Sequence, residues 1–204
     1  MAKATHLEMY AGRLIIRMDD GTLRDIVRES NGRWILPDLG GDSTKPTPKP
    51  PSTGGGSATG WKWPFPLSTT TTPFGHYSDG TPHYGIDLGL GTKDKPVHAC
   101  GPGTVMYSGW ECGGQLWGGG NSVIINHGKV AGHTVFSQYA HMRDAVRVKN
   151  GQKVTSATVL GIVGTTGNSF GEHLHFQINY GNPLGNQYAV DPKGLMRAVK
   201  ATGG

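Results

Sequence analysis

With 204 residues, the chain has room for one ordinary domain and a small extra module. Only 16% of residues are charged, while Gly numbers 34 and Pro 13, which argues against a helical bundle and for short strands joined by tight turns. The net charge of +5 comes from scattered Lys and Arg, with no basic block and no interleaved aromatic platform, so no nucleic-acid partner is expected.

Taken in chain order, the opening stretch MAKATHLEMYAGRLIIRMDD lacks both an uninterrupted apolar run and a small-residue cleavage site. No stretch approaches the roughly 18 apolar residues needed to span a membrane. The expectation is a protein made in the cytoplasm without a signal peptide and without a membrane span. Leu14–Met18 and Leu23–Val27 flank Asp19-Asp20-Gly21-Thr22, and Asn31-Gly32 leads into Arg33-Trp34-Ile35-Leu36. Such turn signals between β-type runs predict a three-stranded meander within residues 1–36. A sheet this small leaves one apolar face without a core of its own, so it is expected to dock on a partner or on copies of itself.

Residues 37–60, PDLGGDSTKPTPKPPSTGGGSATG, read as a linker, stiff and Pro-rich first, flexible and Gly/Ser-rich second. Beyond it, residues 61–204 contain apolar runs bounded by Gly, Pro or Asn: Gly103–Trp110, Ser122–Asn126, Thr134–Tyr139, Leu160–Val163 and Leu174–Asn179. Apart from a short helix expected at Lys193–Val199, no segment keeps a helical apolar period. The fold class predicted is all-β, with an antiparallel sheet domain after the meander and linker. Cys100 and Cys112 flank the run Gly103–Trp110, which leaves both a hairpin-end disulfide and free thiols open.

Nine histidines are many for this length, and three clusters stand out: His83-Tyr84-Gly85-Ile86-Asp87, Gln138-Tyr139-Ala140-His141, and His173-Leu174-His175-Phe176. On a strand, His173 and His175 point the same way, about 7 Å apart, while Leu174 and Phe176 face the core. One imidazole can ligate a metal while its neighbour reaches a water. Four residues of straight strand span about 13 Å, too far for His83 and Asp87 to share one ion, so if both ligate the chain must bend between them, and Gly85 is the residue that permits it; an ordinary turn with a surface His and a strand-end Asp is the alternative. Two His and one carboxylate with an open fourth position is the recurring make-up of a catalytic zinc site.

The order H-x-G-x-D, then Y-x-H, then G-x-x-H-L-H-F resembles the lysostaphin-type zinc endopeptidases of bacterial cell walls, over residues 61–192. Supporting stretches are Gly120–Gly128, Val148–Val154, Leu160–Gly167 and Val190-Asp191-Pro192. The resemblance implies one Zn2+ per chain held by His83, Asp87 and His175, with His141 and His173 in catalysis. It implies that His173 orients or deprotonates the attacking water, and that His141 bonds the tetrahedral oxygen or protonates the leaving amine. Tyr77, upstream of His83, is a further candidate transition-state donor. The family cuts peptidoglycan peptides rich in Gly and D-Ala, at stems or cross-bridges. The loops Ser68–Pro82 and Gly113–Gly120 are the expected groove walls.

The meander and linker suggest a virion-associated wall hydrolase, anchored to a phage tail or self-associated through residues 1–36 and acting on the wall at infection. An endolysin for host lysis, and a structural tail protein with a vestigial zinc site, are the alternatives.

Overall fold

A computed structural model describes residues 4–10, 13–18, 23–28, 34–35, 60–111, 118–143, 146–183 and 185–204, with backbone alone for the strands before residue 36. The chain divides into two compact units, Met1–Gly55 and Gly56–Gly204. In the first, β1 (Ala4–Tyr10), β2 (Arg13–Met18), β3 (Leu23–Arg28) and β4 (Trp34–Ile35) form an antiparallel sheet in sequential order. The sheet has four strands rather than three. The extra one, Ala4–Tyr10, alternates polar His6 and Glu8 with apolar Leu7 and Met9, a period-2 pattern with no strong turn dipeptide to announce it. Residues 36–59, where most of the expected linker falls, lie outside the described residues.

The second unit opens with β5 (Thr70–Thr72), β6 (Gly75–His76), β7 (Pro82–His83), β8 (Ile86–Leu88) and β9 (Pro96–His98). The long strands follow: β10 (Gly103–Glu111), β11 (Gly120–Val130) and β12 (His133–Met142). The chain closes with β13 (Lys153–Val154), β14 (Val159–Ile162), β15 (Leu174–Tyr180), β16 (Ala189–Val190) and α1 (Pro192–Ala198). The main sheet runs β13-β10-β11-β12-β15-β8-β5, with β16 on β15, and every pairing in it is antiparallel. The expected strands and the short helix all form. Asp191 caps α1 by accepting from the Lys193 N–H, with Pro192 at its first turn. Among the described residues no helix is long and apolar enough to cross a membrane.

Alternation decides which face of the sheet becomes core. Val123 and Ile125 of β11, Tyr139 of β12 and Leu174, Phe176 and Ile178 of β15 are fully buried, joined by Trp61 and Trp63 from the segment before β5. Beside them runs a buried polar chain. His127 donates from Nδ1 to the Pro102 carbonyl at 2.7 Å, so its Nε2 accepts from the Ser137 hydroxyl at 2.7 Å. Ser137 contacts the Tyr139 hydroxyl at 3.1 Å, and that oxygen accepts the Cys100 N–H at 2.7 Å. Cys100 is a free buried thiol, pushed up to about 12 by burial. Cys112 lies outside the described residues.

Candidate metal centre

Strand pairing assembles the site. His173, just before β15, and His175, Gln177 and Asn179 on it fall on alternate positions, opposite in direction to Leu174, Phe176 and Ile178. His175 pairs directly with Asp87 of β8 on one side and with Ala140 of β12 on the other. Directly opposed residues hold their Cβ atoms about 5 Å apart, so His175 and Asp87 are brought together by register alone. Ala140, with a single methyl, leaves the space beside them open. His83 arrives from a separate hairpin, β6–β7, where it pairs with Gly75.

The chain passes from that hairpin into the main sheet between His83 and Asp87, through Gly85. A Cβ at Gly85 would lie 2.7 Å from His175 Cε1 and Nε2 and 2.7 Å from the Phe176 carbonyl oxygen. The glycine is required because the His175 ring lies against its backbone.

His83 Nδ1 donates to the Pro73 carbonyl at 2.7 Å, which leaves Nε2 with a lone pair. That Nε2 lies 3.0 Å from Asp87 Oδ1 and 3.1 Å from His175 Nδ1, and His175 Nδ1 lies 2.9 Å from the same Oδ1. Three electron-rich atoms thus converge within hydrogen-bond distance, in a nearly closed setting where His83 is 2% and Asp87 4% exposed. Only a shared cation, or protons taken up by the rings, relieves such crowding. Two imidazoles and one carboxylate form a donor set suited to a divalent transition metal. Burial pushes the Asp87 carboxyl up, and only rings that carry a proton toward it, His175 and then His83, outweigh burial and hold the group well below its ordinary value; a bound cation would take the place of those protons.

Two more histidines flank the cluster. His141, at the end of β12, has a left-handed backbone (φ 64), a strained state for a residue with a Cβ. Its Nδ1 donates to the Thr166 carbonyl at 2.8 Å, and its N–H bonds the Gly119 carbonyl at 2.7 Å. Burial, with His175 and His173 nearby, pulls His141 down to about 4, so the ring is neutral at neutral pH with an unprotonated Nε2. His173 Nδ1 donates to the Gly171 carbonyl at 2.8 Å, and its Nε2 stands 3.6 Å from Asp87 Oδ1. The two rings lie 4.8 Å apart. Tyr77 leans on His83 at 4.5 Å, and its phenol is pushed up to about 12 by burial and by Asp87 and Asp79.

Of these groups His83, His175, His141 and Tyr77 line a cleft of about 250 Å³. The expected first wall contributes Tyr77, Thr81 and Pro82, and the second contributes Gly119, while residues 113–117 lie outside the described residues. Asn168 and Asn186 also line it, from loops that carried no sequence signal.

Residues 81–192, more than half of the chain, match the family model for peptidase family M23. The chain belongs to peptidase family M23. It is 33% identical over 123 residues to the glycyl-glycine endopeptidase ALE-1 of Staphylococcus capitis, covering 59% of this chain and 31% of that protein. It is 34% identical over 97 residues to the peptidoglycan DD-endopeptidase ShyA of Vibrio cholerae, covering 48% of this chain and 20% of that protein. The chain thus spans under a third of the length of either relative. The catalytic domain of lysostaphin from Staphylococcus simulans superposes with a TM-score of 0.53 at 29% identity, over 63% of this chain and 91% of that one.

Within the M23 region, the structure brings together all five histidine and aspartate side chains that the motifs single out, with Tyr77 beside them. Other histidines serve packing: His127 lies in the buried chain above, and His133 stacks on Tyr180 at 4.2 Å. Gln177 and Asn179 escaped sequence reasoning, although the polar alternation of H-L-H-F-Q-I-N continues through both.

Proposed function

We propose that this chain is a zinc-dependent endopeptidase that cleaves peptide bonds in bacterial peptidoglycan. The observation that carries the reading is the convergence of His83 Nε2, Asp87 Oδ1 and His175 Nδ1 beside His141, whose Nε2 is unprotonated in the same cleft, and His173, whose Nε2 stands 3.6 Å from Asp87 Oδ1. The names of the M23 relatives supply the substrate class.

Bound there, zinc would supply Lewis-acid polarisation and an acidified water at neutral pH. The chain's residues do the rest. Pro73 fixes the His83 tautomer, so that Nε2 is available as a ligand atom. His173 and His141 are held by backbone carbonyls with Nε2 unprotonated, so each can take a proton and neither can give one until it has. His173 Nε2, nearer the ligand set, takes the proton of the attacking water. His141 Nε2, beside Gly119, takes the remaining proton of that water from the tetrahedral adduct and passes it to the leaving amine. The Tyr77 phenol keeps its proton and can donate to the developing oxyanion.

Among its described lining residues the cleft has amides, phenols and imidazoles but no Lys, Arg, Asp or Glu. Such a lining suits an uncharged peptide of small residues. Asp87→Ala tests the reading: it should lose stoichiometric metal and peptidoglycan turnover together, and a variant that keeps both would refute it.

The finer reading is delivery on a phage particle, with residues 1–36 as a tail-docking or self-associating anchor and residues 37–60 as the tether. The four-stranded first unit and the Pro/Gly-rich composition after it support this arrangement. Removing residues 1–60 should leave hydrolysis of soluble fragments intact while abolishing incorporation into particles or oligomers. A folded, zinc-loaded but inactive fragment 61–204 would contradict it.

A further inference from the structure

Resting on the ligand reading above, we infer that Gln177 and Asn179 are positioning residues: they fix the tautomer of His175 and tie this metal ligand to the loop that follows β15. The polarity of the chain can be read from its far end. Asn179 Nδ2 lies 3.3 Å from the Pro183 carbonyl oxygen and 3.3 Å from that of Gly185. Carbonyl oxygens only accept, so this end of the Asn179 amide must be its NH2 group. Its Oδ1 is thereby turned to Gln177, whose Nε2 donates to it at 2.7 Å. The Gln177 Oε1 is then left facing His175 Nε2 at 3.4 Å.

Every donor in the relay points away from the metal cluster. Nε2 of His175 must therefore carry the ring proton, and Nδ1, the atom 2.9 Å from Asp87 Oδ1, must carry the lone pair. Gln177 and Asn179 are 4% and 3% exposed, so water cannot easily replace either partner. Gly85 closes the opposite side, because a Cβ there would touch the same Cε1–Nε2 edge of the ring. The relay ends on the segment that presents Asn186 to the cleft, so seating of that segment and orientation of the ligand are coupled through two amides.

The measurement is zinc affinity by chelator competition, with the cobalt-substituted absorption spectrum as a second readout, on the full chain. Outer partners of metal-bound histidines typically contribute about 10–100-fold in affinity. Gln177→Met fills the same space without an acceptor and should lose affinity within that range and shift the cobalt spectrum. Gln177→Glu restores an acceptor and should recover most of it. Asn179→Leu, which leaves the Gln177 acceptor present but unanchored, should lose several-fold. Long-range 15N correlation of metal-free protein should show His175 protonated at Nε2 in the wild type and as a tautomer mixture in Gln177→Met, a readout independent of bound metal.

Wild-type affinity and tautomer in a folded Gln177→Met would overturn the relay while leaving the ligand reading intact. So would an equal loss in Gln177→Met and Gln177→Glu. His175→Ala is the control: tight stoichiometric zinc in that variant would remove the ligand reading, and the relay with it.

Discussion

Gly85→Ala places one methyl group against the most constrained part of the site. The added Cβ would sit 2.7 Å from His175 Cε1, from His175 Nε2 and from the Phe176 carbonyl oxygen. Ordinary contact begins at 3.4 Å, so the difference, 3.4 minus 2.7, is 0.7 Å of displacement. One obstacle is backbone of β15 within the main sheet, and the other is a ring held between Asp87 and Gln177. Neither is the free end of a flexible side chain. Overpacking of this kind costs about 1–3 kcal/mol, or about 2–4 °C in melting temperature per kcal/mol for a domain of this size. The fold should survive. The ring should not keep its place, and misplacement approaching 1 Å costs up to about 100-fold in rate. Differential scanning calorimetry with and without zinc, chelator competition and peptidoglycan hydrolysis together read the effect. The metal-free melt should fall by several degrees, and zinc affinity and rate should each drop at least about tenfold. An alanine variant with wild-type melting, affinity and rate would refute the close-packing argument.

His141→Ala and His173→Ala should each keep stoichiometric zinc but lose about 10²–10⁴-fold in rate, since they move protons rather than hold the ion; metal analysis beside initial rates would show it, and near-wild-type turnover would remove the role. Gly167→Ala puts a Cβ 1.8 Å from the Gly118 carbonyl oxygen at a backbone with φ 75. Because that loop carries the Thr166 carbonyl that orients His141, activity should fall while zinc stays bound. His127 is pulled down to about 4 by burial, below the ordinary 6.5 of an unfolded chain. The unfolded state therefore takes the proton first, so His127 contributes full stability above pH 6.5 and loses it as pH falls toward 4, by at most about 3 kcal/mol. Urea unfolding from pH 7 to 4 should show this slope flattened in His127→Gln, and an unchanged slope would contradict it.

Much of the fold was legible because strand and turn signals are local. Asp-Gly and Asn-Gly dipeptides separate the N-terminal strands, and Asp191-Pro192 starts the helix. Ala4–Tyr10 was missed for want of such a signal. The positions gathered in the cleft were legible because alternation assigns His173 and His175 to one face. What holds them was not. The carbonyls of Pro73, Thr166 and Gly171 are backbone acceptors and have no signature in the side-chain sequence. The left-handed backbone at His141 is likewise invisible, since nothing about a histidine announces it. Gln177 and Asn179 stood on the readable face, but their meaning depends on the Pro183 and Gly185 carbonyls, which only the folded loop supplies.

The most direct test of the central claim is digestion of purified peptidoglycan by the full chain, with newly exposed amino termini labelled and identified. New termini should appear with zinc-loaded protein, vanish on chelation and return when zinc is restored, and Asp87→Ala should release none under any condition. Termini released equally with and without chelator, or none from fully zinc-loaded wild-type protein, would contradict a zinc-dependent endopeptidase.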